Sequence, residues 1–545
     1  MRPRFKELTS NQIVLFPSRI DERISQDHPV RLVNDIVDNL NIDDIIEGYK
    51  GGGTTSFHPR MLIKVLFFGY FNNVYSCRKI AELLEQNIYF MWLCGNSKPD
   101  FRTINNFRGK RLQGKIQKLF SDIVLMMVEL GYVSLDKQFV DGTIIESAAN
   151  RYTFVWRKSV EKYKAKLEEK INNILTEIEQ SIKSDKIELT KPVEEKKINR
   201  DLLKEKLEEL NKQRTALNKE QKKKLDKVEK DELPKLDKYD NQLEILGERN
   251  SYSKTDPDAS FMRMKEDVLK KAELRPGYNL QISTENQVIT NFTLHQSPGD
   301  TTTLIDHIEQ FYTNLEKYPT QTIADAAYGS EQNYEYLDSI ESEAFVKYNN
   351  FDQEQKPSFK DKLFHIENLF YNEEQDFYVC PMGQRMYPFK AGIRVSARGY
   401  ESELVYYKAQ NCSSCPMRSG CFNAEEPDRI ISTSPRLRVL KEAARKRLVS
   451  EEGMTLRKKR SIEPESVFGQ LKINNRYKRF RMFGLRKIET DLGLAVIGHN
   501  LRKWAAMLAN KPKKLLNEVI SYFISHPKLI RAHKRLITYE VLLQA

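Results

Sequence analysis

Apolar residues recur at three- and four-residue spacing in Val30–Leu40, Pro59–Phe71 and Ser76–Leu84, the period of helices that bury one face. The region from about Asp27 to Leu130 therefore reads as helical. Within it, SCRKIAELLEQN reads as a short helix with Ser76 as N-cap, and after the break at CGNSKPD a second helix begins near DFRTINNFRGKRL. The second helix carries Arg102, Arg108, Lys110 and Arg111, which predicts a helix-turn-helix; a plain bundle with a solvated basic face is the equal alternative.

From about Arg157 to Asn250 Lys and Glu dominate, aromatics thin out, and Leu and Ile recur at heptad-like spacing. Two long helices folding back through SDKIELTKPVEE fit this pattern, as a protruding coiled-coil hairpin. With that insert set aside, Gln138 to Tyr348 alternates strands and helices. QFVDGTII is a short apolar strand, and GYNLQISTENQVITNFTLH is two strands joined by a tight turn at Thr284–Gln287. TTTLIDHIEQFYTNLEKY reads as a helix, QTIADAAYG as a buried strand, SEQNYEYLDSIES as a helix and EAFVKY as a strand, a mixed α/β order.

Composition narrows the classes. The 545 residues suit three or four domain-sized pieces, which excludes a minimal binding module. The apolar stretches Met61–Phe71 and Ile123–Val133 are broken by Lys64 and Glu129, so no membrane span is expected. MRPRFKELTSNQ is not followed by an apolar leader core, so the cytoplasm is the expected compartment. Lys and Arg number 89 against 76 Asp and Glu, a net charge of +13 that is consistent with a polyanionic partner, nucleic acid first.

Two aspartates follow apolar strands in equivalent settings. Asp141 lies between Phe139-Val140 and Gly142-Thr143; Asp325 lies between Ile323-Ala324 and Ala326-Ala327. Carboxylates at carboxyl ends of strands, with small neighbours, stand where open α/β sheets bind ligands. Two hard cations need further oxygen ligands, and RSIEPESVFGQLKINNRYKRFRMFG offers them. If Pro464 opens a helix, Glu465, Phe468 and Lys472 share a face with Gly469 beside it, while Glu463 precedes the helix; Glu465 is the preferred third carboxylate. Beyond it, Lys472, Arg476, Lys478, Arg479 and Arg481 alternate with Tyr477, Phe480 and Phe483, a tract suited to a DNA backbone. Asp256, Asp258 and Asp300 lie near strand edges of the same region, with capping or turn roles as the alternative to shaping the rim of the site.

The segments FVDGT, TIADAAYGSEQNY and EPESVFGQLKINNRYKRF, followed by GLAVIGHNLRK, resemble the catalytic segments of DDE transposases from bacterial insertion sequences. SFHPRMLIKVLFFGYF, IAELLEQN and PDFRTINNFR resemble the helical domain that precedes catalysis in the same transposases. The resemblance implies an α/β, RNase H-like catalytic fold in which Asp141, Asp325 and Glu465 bind two Mg2+ (or Mn2+) ions. It also implies double-stranded DNA as partner (terminal inverted repeats and target), a homodimer on DNA, and a bacterial, nucleoid-associated setting. Glu465 and Lys472 match the family's tyrosine–arginine–glutamate–lysine signature, but the arginine position falls on Ser461, with Arg460 beside it, and the tyrosine is missing. An inert scaffold of the same fold and a simple nuclease are the alternative readings.

Cys380, then Cys412-Ser-Ser-Cys415 and Cys421, have spacing suited to a structural zinc site, with free thiols as the alternative. Cys77 and Cys94 read as buried small hydrophobes. The expected organisation is a helical DNA-binding domain over 1–130 and a catalytic core over 131–156 and 251–350. The coiled-coil insert occupies 157–250, a cysteine-containing insert 351–455, the glutamate helix and basic tract 456–510, and a helical tail 511–545.

Overall fold

The computed structural model describes residues 19–49, 55–184, 207–212, 214, 217–264, 273–396 and 398–509. The expected tail over 511–545 and most of the expected hairpin linker lie outside the described residues. Strands β1 (Lys137–Glu146), β4 (Ser260–Arg263), β5 (Leu274–Glu285), β6 (Val288–His295), β7 (Gln321–Ala324) and β8 (Glu343–Val346) form a mixed sheet. Its order is β4-β5-β1-β7-β8, with β6 also on β5. β1 runs antiparallel to β5 and parallel to β7, and β7 is parallel to β8. The β5–β6 turn places Asn286 and Gln287 at φ 54° and 61°, the left-handed pair that a two-residue hairpin turn requires.

The helical region at the start of the chain has no core of its own. Its Val33, Leu66, Phe67 and Ile123 share one apolar cluster with Leu280 and Phe292 of the sheet and with Ile488, Val496 and Trp504 of the long Leu485–Ala509 helix. That helix is buried almost all round, as a central helix must be, and it lies close against the Pro59–Phe71 helix. A Cβ at Gly498 would stand 2.9 Å from the Tyr70 carbonyl, so this approach depends on glycine. Asp256 accepts from the Gly484 amide and Asp258 from the Leu485 amide, so both serve the N-terminus of this helix from another segment.

The Lys/Glu-rich insert is a pair of packed helical arms. Leu167, Ile171, Leu175 and Ile178 of the Arg157–Ser184 helix pack on Leu207, Leu210, Leu225, Val228 and Leu236. Lys164–Asp240 at 2.7 Å, Lys170–Glu232 at 2.5 Å and Lys224–Glu177 at 2.6 Å run in opposite chain directions, so the arms are antiparallel. β2 (Phe154–Trp156) and β3 (Ser251–Ser253) pair at its base, where the chain leaves and re-enters the core.

Between Asp325 and the glutamate segment stands an element absent from the sequence reading. Strands β9 (Phe370–Asn372), β10 (Phe377–Val379), β11 (Arg385–Val395), β12 (Glu401–Lys408) and β13 (Ile430–Thr433) make an antiparallel sheet in the order β13-β12-β11-β10-β9. No helix among the described residues is long and apolar enough to cross a membrane.

Two histidines are sealed in this fold. His307 bonds with the hydroxyls of Ser283 and Thr293, each at 2.8 Å, and His499 with the Gln287 carbonyl at 2.9 Å. Burial lowers His307 from 6.5 to about 3 and His499 to about 4. The unfolded chain then binds protons that the folded chain refuses, so their stabilisation is complete above pH 6.5 and is lost as pH falls toward 4. Each should contribute a slope approaching about 1.4 kcal/mol per pH unit in that window. Urea midpoints measured at pH 7.5 and 5.5 should show the lower value at pH 5.5; His307→Gln should flatten the difference.

Candidate active site

The register of β1 on β7 builds the site. Val140 pairs with Ala324, so the next residue on each parallel strand, Asp141 and Asp325, leaves the pair at the same level. Asp141 lies within β1, not at its end; what ends there is β7, whose departure opens the space beside it. Gly142 is needed below, since a Cβ there would stand 2.4 Å from Gln281 Nε2 and 2.6 Å from Asp300 Oδ1. Asp300 accepts from Asn279 at 2.7 Å and Gln281 at 2.9 Å, and the buried Tyr328 donates to Gln281. Burial, then the Asp300 and Asp141 charges, push the Tyr328 hydroxyl up, so it stays a neutral donor under the carboxylates.

The third wall is the chain from Glu451 to Asn474. A helix ends at Arg460, a turn follows, and Pro464 opens a short helix to Gly469 that continues as one wider turn over Gln470–Asn474. Arg460 reaches Asp141 at 3.3 Å, Asp325 at 3.6 Å and Glu465 at 3.7 Å. Three acids from three distant segments thus surround one guanidinium. Glu463 turns the other way: it is buried, accepts from the Gln287 amide at 2.6 Å, and burial raises its carboxyl. Gly469 faces open space and does not mediate a close approach to the sheet, contrary to the helical-face reading.

The expected phosphate contacts divide. Arg102, Lys110, Arg111, Arg476, Lys478 and Arg481 are exposed, although Arg102 lies over the Phe101 ring, Arg111 over Tyr49 and Arg481 over Tyr75. Arg108 is a correction: it is 5% exposed and donates to the Tyr75 carbonyl, Tyr70 and Asn105, because the turn after Asn106 rotates it inward. Lys472 is also buried and donates to the Ile144 carbonyl at 2.9 Å, which fastens the glutamate segment to β1. Arg479 donates to the carbonyls of Ser147, Ala148 and Ala149, so it joins the tract to the chain beyond β1. The helix-turn-helix expectation meets a different local order, with an additional helix, Ile88–Leu93, between Cys77–Gln86 and Phe101–Asn106. Ser76 is the N-cap residue of the Cys77–Gln86 helix, as read, without a side-chain cap bond, while Asp100 caps the Phe101–Asn106 helix by accepting from the Thr103 amide.

Cys380, Cys412, Cys415 and Cys421 line one small cavity with Phe364, Met417 and Arg429. Arg429 donates to Cys421 Sγ at 3.1 Å. Among the described residues no three Cys, His, Asp or Glu side chains are gathered as a ready metal cage, so neither the zinc expectation for the cysteines nor a preformed cage of the three acids around Arg460 gains geometric support. Cys77 and Cys94 are buried free thiols, and burial raises both.

Residues 379–505 match a family model described as a transposase DDE domain, a span that includes both Glu463 and Glu465. Residues 18–110 match a second model, a transposase domain of the helical region. No curated protein and no solved structure matches the chain. The two matches, a transposase domain over 18–110 followed by a transposase DDE domain over 379–505, indicate a DDE transposase of an insertion element.

Proposed function

We propose that the chain cleaves and rejoins DNA at the inverted-repeat ends of its mobile element, with Asp141, Asp325 and Glu465 as ligands of two divalent ions, Mg2+ or Mn2+. The observation that carries this reading is the convergence of these three acids on one positive charge. Carboxylate oxygens are the donors hard divalent cations prefer, so the donor set fits. When bound, such ions supply an activated water and stabilise the leaving 3′ oxygen. The strand order β6-β5-β1-β7-β8, with only the first pairs antiparallel, supports an RNase H-like core.

The protein's own residues do the rest. Gly142 leaves space for the Asp300–Gln281–Tyr328 network, which braces β1 and the Asp325 turn so that the acids stand at one level. Lys472 keeps the glutamate segment on β1. Arg102, Lys110, Arg111, Arg476, Lys478 and Arg481 offer charge to the phosphate backbone, whereas Arg108 does not. Bringing two element ends together would require at least two copies on the DNA, in the cytoplasm where the nucleoid lies.

The test is a gel assay on DNA carrying the element's terminal repeats. Mg2+-dependent nicking and joined products are expected, and Asp141→Asn should lower both by on the order of 10³-fold. Cleavage that survives both Asp141→Asn and Asp325→Asn would sink the assignment; cleavage without joining would reduce the protein to a nuclease.

A further inference from the structure

Arg460 differs from the other buried arginines in what it touches. Arg108 donates to the Tyr75 carbonyl and Arg429 to the Phe364 carbonyl, so both are anchored by the backbone. The side chain of Arg460 is 10% exposed, and among the described residues its Nε has no hydrogen-bond partner and its ion pairs are with Asp141, Asp325 and Glu465. The separations of 3.3, 3.6 and 3.7 Å are longer than the roughly 2.7–2.9 Å of a tight charge-assisted hydrogen bond. The guanidinium is thus held by charge more than by directed bonds. It is also the last residue of its helix, followed by the Ser461–Glu463 turn, so a change of rotamer can withdraw it without disturbing the sheet.

We infer that Arg460 is a positioning residue that acts as a resident cation. It keeps three mutually repelling carboxylates assembled, and it competes with the divalent ion for the same oxygens. This rests on the reading of Asp141, Asp325 and Glu465 as metal ligands, and it adds a device that reading lacks. A carboxylate has a limited set of lone pairs, and a guanidinium lying among three carboxylates claims the positions a cation would take. Metal entry then requires the guanidinium to withdraw, so the acids are gathered around Arg460 and not around a ready metal position, and their affinity for metal is weakened. A purely structural arginine would behave in the opposite way, because its loss would loosen the acids and weaken metal binding.

The experiment measures Mn2+ binding to the full chain by calorimetry, without DNA. Wild type, Arg460→Met, Arg460→Lys and Arg460→Ala would be compared, with Asp141→Asn and Asp325→Asn marking the site. Arg460→Met should bind Mn2+ roughly ten- to a hundredfold more tightly than wild type, since a charge fixed beside the ligands has been removed. Arg460→Lys, which keeps the charge, should stay near wild type. Methylguanidinium added to Arg460→Ala should return the affinity toward wild type, a readout that does not depend on how the Met variant folds. Mn2+ binding indifferent to Asp141→Asn and Asp325→Asn would overturn the metal reading beneath the inference. Aspartate-dependent binding that Arg460→Met leaves unchanged or weakens, with methylguanidinium inert on the Ala variant, would overturn the inference alone.

Discussion

Replacing Asp491 with alanine is expected to destabilise the protein by about 3–5 kcal/mol, the cost of stranding a buried charge. Asp491 is fully buried in the Leu485–Ala509 helix. It accepts from the Tyr70 hydroxyl and, at 2.9 Å, from Tyr477, and it faces Arg108 at 3.5 Å. Burial opposes the charge of Arg108, but Tyr70 and Asp491 outweigh it and raise its pKa, so the guanidinium stays protonated. Removing the carboxylate leaves that cation and two tyrosine hydroxyls without their acceptor. These four side chains come from the Pro59–Phe71 helix, the turn after Asn106, the tract after the glutamate helix and the long C-terminal helix. Their junction joins the first transposase domain to the second. Urea unfolding monitored by circular dichroism should therefore show one transition moving to lower denaturant, with both regions melting together. Asp491→Asn, which keeps the shape and one acceptor, should cost less than Asp491→Ala.

The same junction shows what sequence pattern could and could not reveal. Charge was legible at Arg102, Arg108, Lys110 and Arg111, but direction was not, because five residues after Asn106 wind as a wider turn that rotates Arg108 inward. The matched settings of Asp141 and Asp325 were legible, since both follow apolar runs and precede small residues, and parallel register sets them side by side, although only Asp325 stands at a strand end. The β9–β13 sheet was not, because β11 is exposed along nearly its whole length and shows no alternation of apolar and polar positions. Its cysteines drew attention to zinc, while the strands around them gave no period to read. Arg460 was visible only as an arginine displaced by one position from a family signature. Its reach to three acids depends on the turn at Ser461–Glu463, and no spacing rule contains that turn.

Glu463 and Glu465 lie two residues apart, and their substitutions are expected to have opposite signatures. Glu465→Gln should lower cleavage of the element ends by on the order of 10³-fold while leaving the unfolding midpoint nearly unchanged. Its side chain is 56% exposed and its ion pair among the described residues is the loose one to Arg460, so the fold draws little from it. Glu463→Gln should do the reverse. Its carboxylate accepts from the Gln287 amide, and the backbone there is in the left-handed conformation, so the glutamate holds the β5–β6 turn from outside. Glutamine keeps an acceptor but loses the charge, which should cost about 1–2 kcal/mol by the difference between a charged and a neutral hydrogen bond, with cleavage retained once the protein is folded. Measuring cleavage rate and urea midpoint on both variants separates the two roles. A catalytic collapse in Glu463→Gln at full stability would move the third carboxylate to Glu463 and require the turn before Pro464 to open toward β1.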